Sequence, residues 1–92
     1  WIDYTNTYAD ASDPNKLIDQ VISTVVDVPI DTTHKSRLKT ILLSGQIADY
    51  YWTDAWNSWK REPQNAMARQ TVENRLKPFY QYLLQLEEYQ LN

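Results

Sequence analysis

Residues 13–25 read DPNKLIDQVISTV, and this stretch decides the fold. Ser12 or Asp13 can accept hydrogen bonds from the first free N–H groups of a helix, and Pro14 suits the first helical position. Leu17, Ile18, Val21, Ile22 and Val25 then recur at helical spacing. At 100° per residue they fill an arc of about 140°, the width of a buried helical stripe. These residues are also good strand formers, so strand competes. The i, i+4 recurrence and the cap favour helix. Pro29 disfavours helical geometry at Val28 and ends the segment.

Working outward, a second helix starts after Asp31 or Thr32, both good caps. Leu38, Ile41 and Leu42 share its face, and Ser44-Gly45 closes it with the single Gly of the chain at a left-handed C-cap. The short link between the two helices favours antiparallel neighbours. A third helix is predicted over 47–60, with Ala48, Trp52, Ala55, Trp56 and Trp59 on one side and Thr53, Asp54 and Asn57 on the other. Pro63 disfavours helix at Glu62 and stops it near Arg61. The fourth helix spans about 65–86. Ala68, Val72, Leu76, Phe79, Leu83 and Leu86 hold one phase across Pro78, which predicts a kinked helix or two abutting helices on one axis. Residues 1–12 have no clear period and read as an extended arm, with Trp1, Ile2 and Tyr4 packing back or the terminus fraying. The expected architecture is therefore all-α, an irregular four-helix bundle over 13–92 with an extended N-terminal arm over 1–12.

Composition narrows the function classes. The chain has 92 residues, no Cys, one His and one Gly. Thiolate metal sites, disulfides, multi-His metal sites and Gly-x-Gly phosphate loops are excluded. No apolar run reaches the about 18–20 residues that span a bilayer. Residues 1–31 carry six Asp and one Lys, net −5, and residues 32–92 carry eight basic and six acidic groups, net +2. Neither half is a basic patch suited to phosphates, so nucleic acid is not an expected partner. The chain begins at Trp1, without a basic segment leading into an apolar one, and reads as an excised domain or a processed chain.

Residue constellations for catalysis are weak. His34 leans toward the apolar face of the second helix, and no local motif supplies a nucleophile or carboxylate for it. It reads as a structural or surface histidine. Glu87 and Glu88 point to different sides of a helix. The segment from Asp10 to Asn15 is a poor match to an oxygen-ligand metal loop and reads as a capped loop. No catalytic residue, metal ligand or cofactor is expected. The unusual feature is Tyr50, Tyr51 and Trp52 with Trp56 and Trp59. The functional reading is a platform that stacks on sugar rings or a partner surface. The structural reading, preferred here, is that the tryptophans are the core stripe of their helix. Tyr50 and Tyr51 cannot both join that face, so a binding role would begin with them.

Leu17-Ile18-Asp19, Pro29-Ile30-Asp31, Arg37 and Ile41-Leu42-Leu43 resemble the C-terminal segment of a large bacterial family, domain of unknown function 1800. Leu76 to Leu84 resembles its last apolar helix, and Leu86-Glu87-Glu88-Tyr89-Gln90-Leu91 its closing motif, with Glu87 where the family usually has Pro. The resemblance covers most of 14–92, and 50–59 departs from it. It implies the end of a longer, exported bacterial protein, and it carries over no activity and no catalytic residue. Absence of Cys is compatible with export. The expected function is thus a non-catalytic helical module that packs against the rest of its own chain or another protein. The alternatives are a carbohydrate- or ligand-binding surface on 50–59, and part of an enzyme completed by upstream sequence.

Overall fold

The computed structural model describes residues 1–26 and 30–90, the last four of them as backbone. Its elements are α1 (Ile2–Thr5), α2 (Pro14–Val25), α3 (Thr32–Leu42), α4 (Tyr50–Arg61) and α5 (Ala66–Gln90). Among the described residues every regular element is helical. The architecture is an irregular all-α bundle, with α1 added to the four long helices expected. α5 is its spine: α1, α3 and α4 all pack on it, and α2 packs on α3. Twenty-five residues at about 1.5 Å each make α5 roughly 38 Å long, close to the 42 Å long axis of the molecule.

Local chemistry sets the helix ends. The Asp13 side chain accepts from the Asn15 and Lys16 N–H groups at 2.9 and 3.3 Å, ahead of Pro14 in the first turn. Asp31 accepts from the His34 N–H at 2.9 Å, and Asn65 accepts from Met67 and Ala68 at 2.9 and 3.1 Å. Asp49 precedes α4 without capping it. Its carboxylate instead takes Lys39 Nζ at 2.9 Å and Asn15 Nδ2 at 3.0 Å, tying α2, α3 and α4 together. The Lys39 hydrogen bond holds the Asp49 carboxyl below the usual carboxylate range.

α2 ends at Val25, with Val26 already extended. The stop assigned to Val28 and Pro29 lies outside the described residues, as do the side chains of the closing segment from Glu87. The end of α3 differs in detail from expectation. Ser44 takes the left-handed conformation at φ 55°, and Gly45 follows at φ 82°. Ser44 N–H returns to the Ile41 carbonyl at 3.1 Å and Gly45 N–H to the Thr40 carbonyl at 3.0 Å. These two bonds form a Schellman closure, so the strained non-glycine position is one residue earlier than the glycine suggests.

The extended arm is corrected by the structure. Residues 2–5 form a helical turn, and turns continue to Asp13. A single turn is too short to display a period, and distant partners hold this one. Ile2 and Thr5 are fully buried. The Thr5 hydroxyl meets the Tyr80 hydroxyl at 2.7 Å, and the Ile2 N–H donates to Glu73 at 2.6 Å. The Trp1 ring stacks on Tyr80, with centroids 4.2 Å apart and planes 16° from parallel.

The core is continuous. Leu17, Val21, Leu42, Val72, Leu76, Phe79 and Leu83 have no solvent exposure and belong to one cluster. α5 runs through Pro78 as one helix, keeping Val72, Leu76, Phe79, Leu83 and Leu86 buried in phase. Pro78 itself is exposed. It lacks the N–H that would meet the Asn74 carbonyl, and its ring crowds that oxygen. Pro78→Ala removes no core contact and is expected to stabilise the fold by about 1–3 kcal/mol. A denaturant midpoint lower than that of the parent chain would contradict this.

Candidate functional site

The α4 tryptophans point inward. Trp52, Trp56 and Trp59 are 0, 3 and 5 % exposed. Trp52 and Trp56 stack with centroids 5.7 Å apart, and Trp56 and Trp59 follow at 5.1 Å. The Trp52 Nε1–H donates to the Ala11 carbonyl at 2.7 Å, and Thr53 Oγ1 donates to the Ser12 carbonyl at 2.7 Å. α4 thereby clamps the segment that leads into α2. Trp59 Nε1 is buried without a partner among the described residues. These three rings cannot form a stacking platform, because their faces are already covered by the bundle. That removes Trp52, Trp56 and Trp59 from the candidate binding set.

Tyr50 and Tyr51 remain at the surface, 55 and 38 % exposed, with their rings stacked at 4.6 Å and 24°. Ile47, three residues before Tyr50, is 95 % exposed. The tyrosine pair walls a groove of about 360 Å³ between α4 and α5, with Ala55, Ser58, Ala68 and Thr71 among its other lining residues. Arg75 also lines it. Its Nη1 donates to the Tyr51 carbonyl at 2.6 Å and reaches the Leu42 carbonyl at 3.4 Å. Partial burial pulls the guanidinium below its usual pKa, yet an arginine stays charged at neutral pH. Sequence reading did not single out Arg75. The signal available to it was one cation three residues after Val72 and one before Leu76 on an otherwise apolar stripe.

Elsewhere the polar groups are mostly occupied. A cleft of about 270 Å³ between α2 and α3 is lined by Lys35 and Lys39. Lys35 pairs with Asp19 at 3.5 Å and Lys39 with Asp49 at 2.9 Å. His34 Nδ1 lies 2.9 Å from the Tyr82 hydroxyl and Nε2 lies 4.0 Å from Asp31. This contact fastens the start of α3 to α5. Among the described residues no group of three or more His, Asp or Glu side chains is placed to hold a metal ion, and no helix is long and apolar enough to cross a membrane. No protein-family model, curated protein or solved structure matches this chain.

Tyrosine ionisation offers a second measurable property. Burial pushes the Tyr80 hydroxyl well above the usual tyrosine range, against the opposing hydrogen bond with Thr5. Burial and the 2.8 Å hydrogen bond with Tyr4 push Tyr8 up to about 12. A raised folded-state pKa means that, above the unfolded value near 10, the unfolded chain holds fewer protons than the native one. Stability from these groups is therefore complete below about pH 10 and declines as pH rises further. Chemical denaturation between pH 9 and 12 should show that decline, and Tyr80→Phe should flatten it. A stability that rises over this range would overturn the assignment.

Proposed function

We propose that this chain is a non-catalytic helical module of a larger exported bacterial protein, acting by contact with the rest of that chain or with another protein. The observation that carries the reading is the exposure of Ile47, Tyr50 and Tyr51 within one short stretch, the two tyrosines lining the α4–α5 groove. Large apolar side chains grouped at a surface are a feature of interaction sites, and tyrosine is favoured there because it combines an apolar ring with a polar tip. The placement in a longer, exported protein rests on the resemblance of most of 14–92, apart from 50–59, to the domain of unknown function 1800 family.

Photo-crosslinking tests this directly. A benzophenone side chain at position 47 or 50, in the protein in its native cell, should give discrete crosslinks to one protein segment. The same probe at the exposed position Gln81 should give few. Weak, diffuse crosslinking from all three positions would refute the reading. A second reading, carbohydrate binding, is favoured only by the open Tyr50 ring. It requires saturable shifts of that ring in an NMR titration with oligosaccharides.

A further inference from the structure

We infer that the α4–α5 groove takes a partner segment that presents one carboxylate beside an apolar side chain, with Arg75 holding the carboxylate and the Tyr50–Tyr51 stack receiving the apolar group. This rests on the reading of the chain as an interaction module. The guanidinium Nη1 has two hydrogens, and its partners are the carbonyls of Tyr51 on α4 and Leu42 at the end of α3. Arg75 is thus pinned where three helices meet. Among the described residues its Nε and Nη2 make no hydrogen bond or ion pair. Those two nitrogens form the side edge of the guanidinium, which pairs in plane with both oxygens of a carboxylate. Because the side chain is already fixed, less rotamer freedom is lost when an anion binds.

The rest of the groove sets the remainder of the ligand. Its volume of about 360 Å³ and its floor of Ala55, Ser58, Ala68 and Thr71 leave room for compact side chains next to the tyrosine wall. Asp54 shares the lining and has no ion-pair partner among the described residues. A second carboxylate on the partner would meet it at unfavourable energy. The partner chemistry is therefore a singly acidic, otherwise apolar stretch, and not an acidic run.

Two capped hexapeptides differing in one group separate charge from shape: acetyl-Ala-Ala-Leu-Glu-Ala-Ala-amide and its Gln counterpart. Titrated into isotope-labelled protein to millimolar concentration, the Glu peptide should shift the amides of Tyr51, Ser58 and Thr71 and the Arg75 Nε–H saturably. The Gln peptide should bind about five- to tenfold more weakly, the scale of the difference between a charge-assisted and a neutral hydrogen bond. Arg75→Lys keeps the charge without the fork and should lose most of the preference for Glu over Gln. Should that variant fail to fold, Tyr50→Ala serves, since its side chain is at the surface. It should weaken both peptides alike and preserve the preference. Asp54→Asn should bring a peptide with a second Glu to an affinity at least equal to that of the first. Equal binding of the Glu and Gln peptides, or no saturable shifts in the groove, overturns the inference. Crosslinking from positions 47 and 50 reports on the interaction-module reading separately and can succeed where this fails.

Discussion

Trp52→Ala is expected to destabilise the fold by about 3–5 kcal/mol, the usual cost of deleting a buried indole. Trp52 has no solvent exposure, stacks on Trp56, and donates its Nε1–H to Ala11. Truncation opens a cavity beside the first turn of α4 and leaves the Ala11 carbonyl without that donor, so packing and polar costs fall on one site. Trp52→Phe keeps much of the volume and loses the hydrogen bond, so it should cost distinctly less. Urea denaturation of the two variants separates the contributions. A midpoint for Trp52→Ala within error of the parent would sink the assignment of this residue to the core. Tryptophan emission gives an independent check, after Trp1 is replaced by Phe. The remaining three indoles should emit at short wavelength, resist iodide quenching, and shift to the red on unfolding.

Leu76→Ala is expected to cost about 2–5 kcal/mol, with the upper half of that range favoured where the surroundings cannot collapse. Leu76 is fully buried on the spine helix, against which both α3 and α4 pack. Neighbouring positions on either side of it, Val72 and Phe79, are equally buried, so little space exists for relaxation. A domain of this size has a total stability on the order of 5–14 kcal/mol, and the substitution removes a large share of it. An unchanged melting temperature would contradict the packing described for α5.

The long helices were legible from their apolar stripes, and α2 carried two independent signals. For α2 these were the Asp13-Pro14 start and the stripe from Leu17 to Val25. For α5 the stripe alone sufficed, since its phase held across Pro78. The tryptophan face of α4 was legible as core for a related reason: no other side of that helix could dock it. What escaped sequence reading depends on partners far away in the chain. α1 exists through Tyr80 and Glu73, and nothing local to residues 2–5 announces it. Ser44 takes the left-handed turn because the closure of α3 requires it one position before the glycine. Arg75 was not singled out from sequence, and its function as a three-helix strap appears only once Leu42 and Tyr51 are brought beside it. Of the candidate site, the exposure of at least one of Tyr50 and Tyr51 was legible from sequence, while the groove they border was not.

The contact between Thr5 and Tyr80 joins residues 75 apart in the chain. Contacts of that separation form only after a long segment has been closed, and the entropy of that closure sets them late in folding. The α2–α3 and α4–α5 pairs are neighbours along the chain and can form rapidly on their own local contacts. The N-terminal turn is then expected to dock last, onto a spine already assembled. Its interactions are expected to form after the transition state, so weakening them should act mainly on how fast the native molecule comes apart and leave its rate of formation nearly unchanged, which stopped-flow folding of Thr5→Ala would check. Ile2 and Thr5 are therefore expected to act as a kinetic latch on the bundle, governing its lifetime more than its speed of assembly.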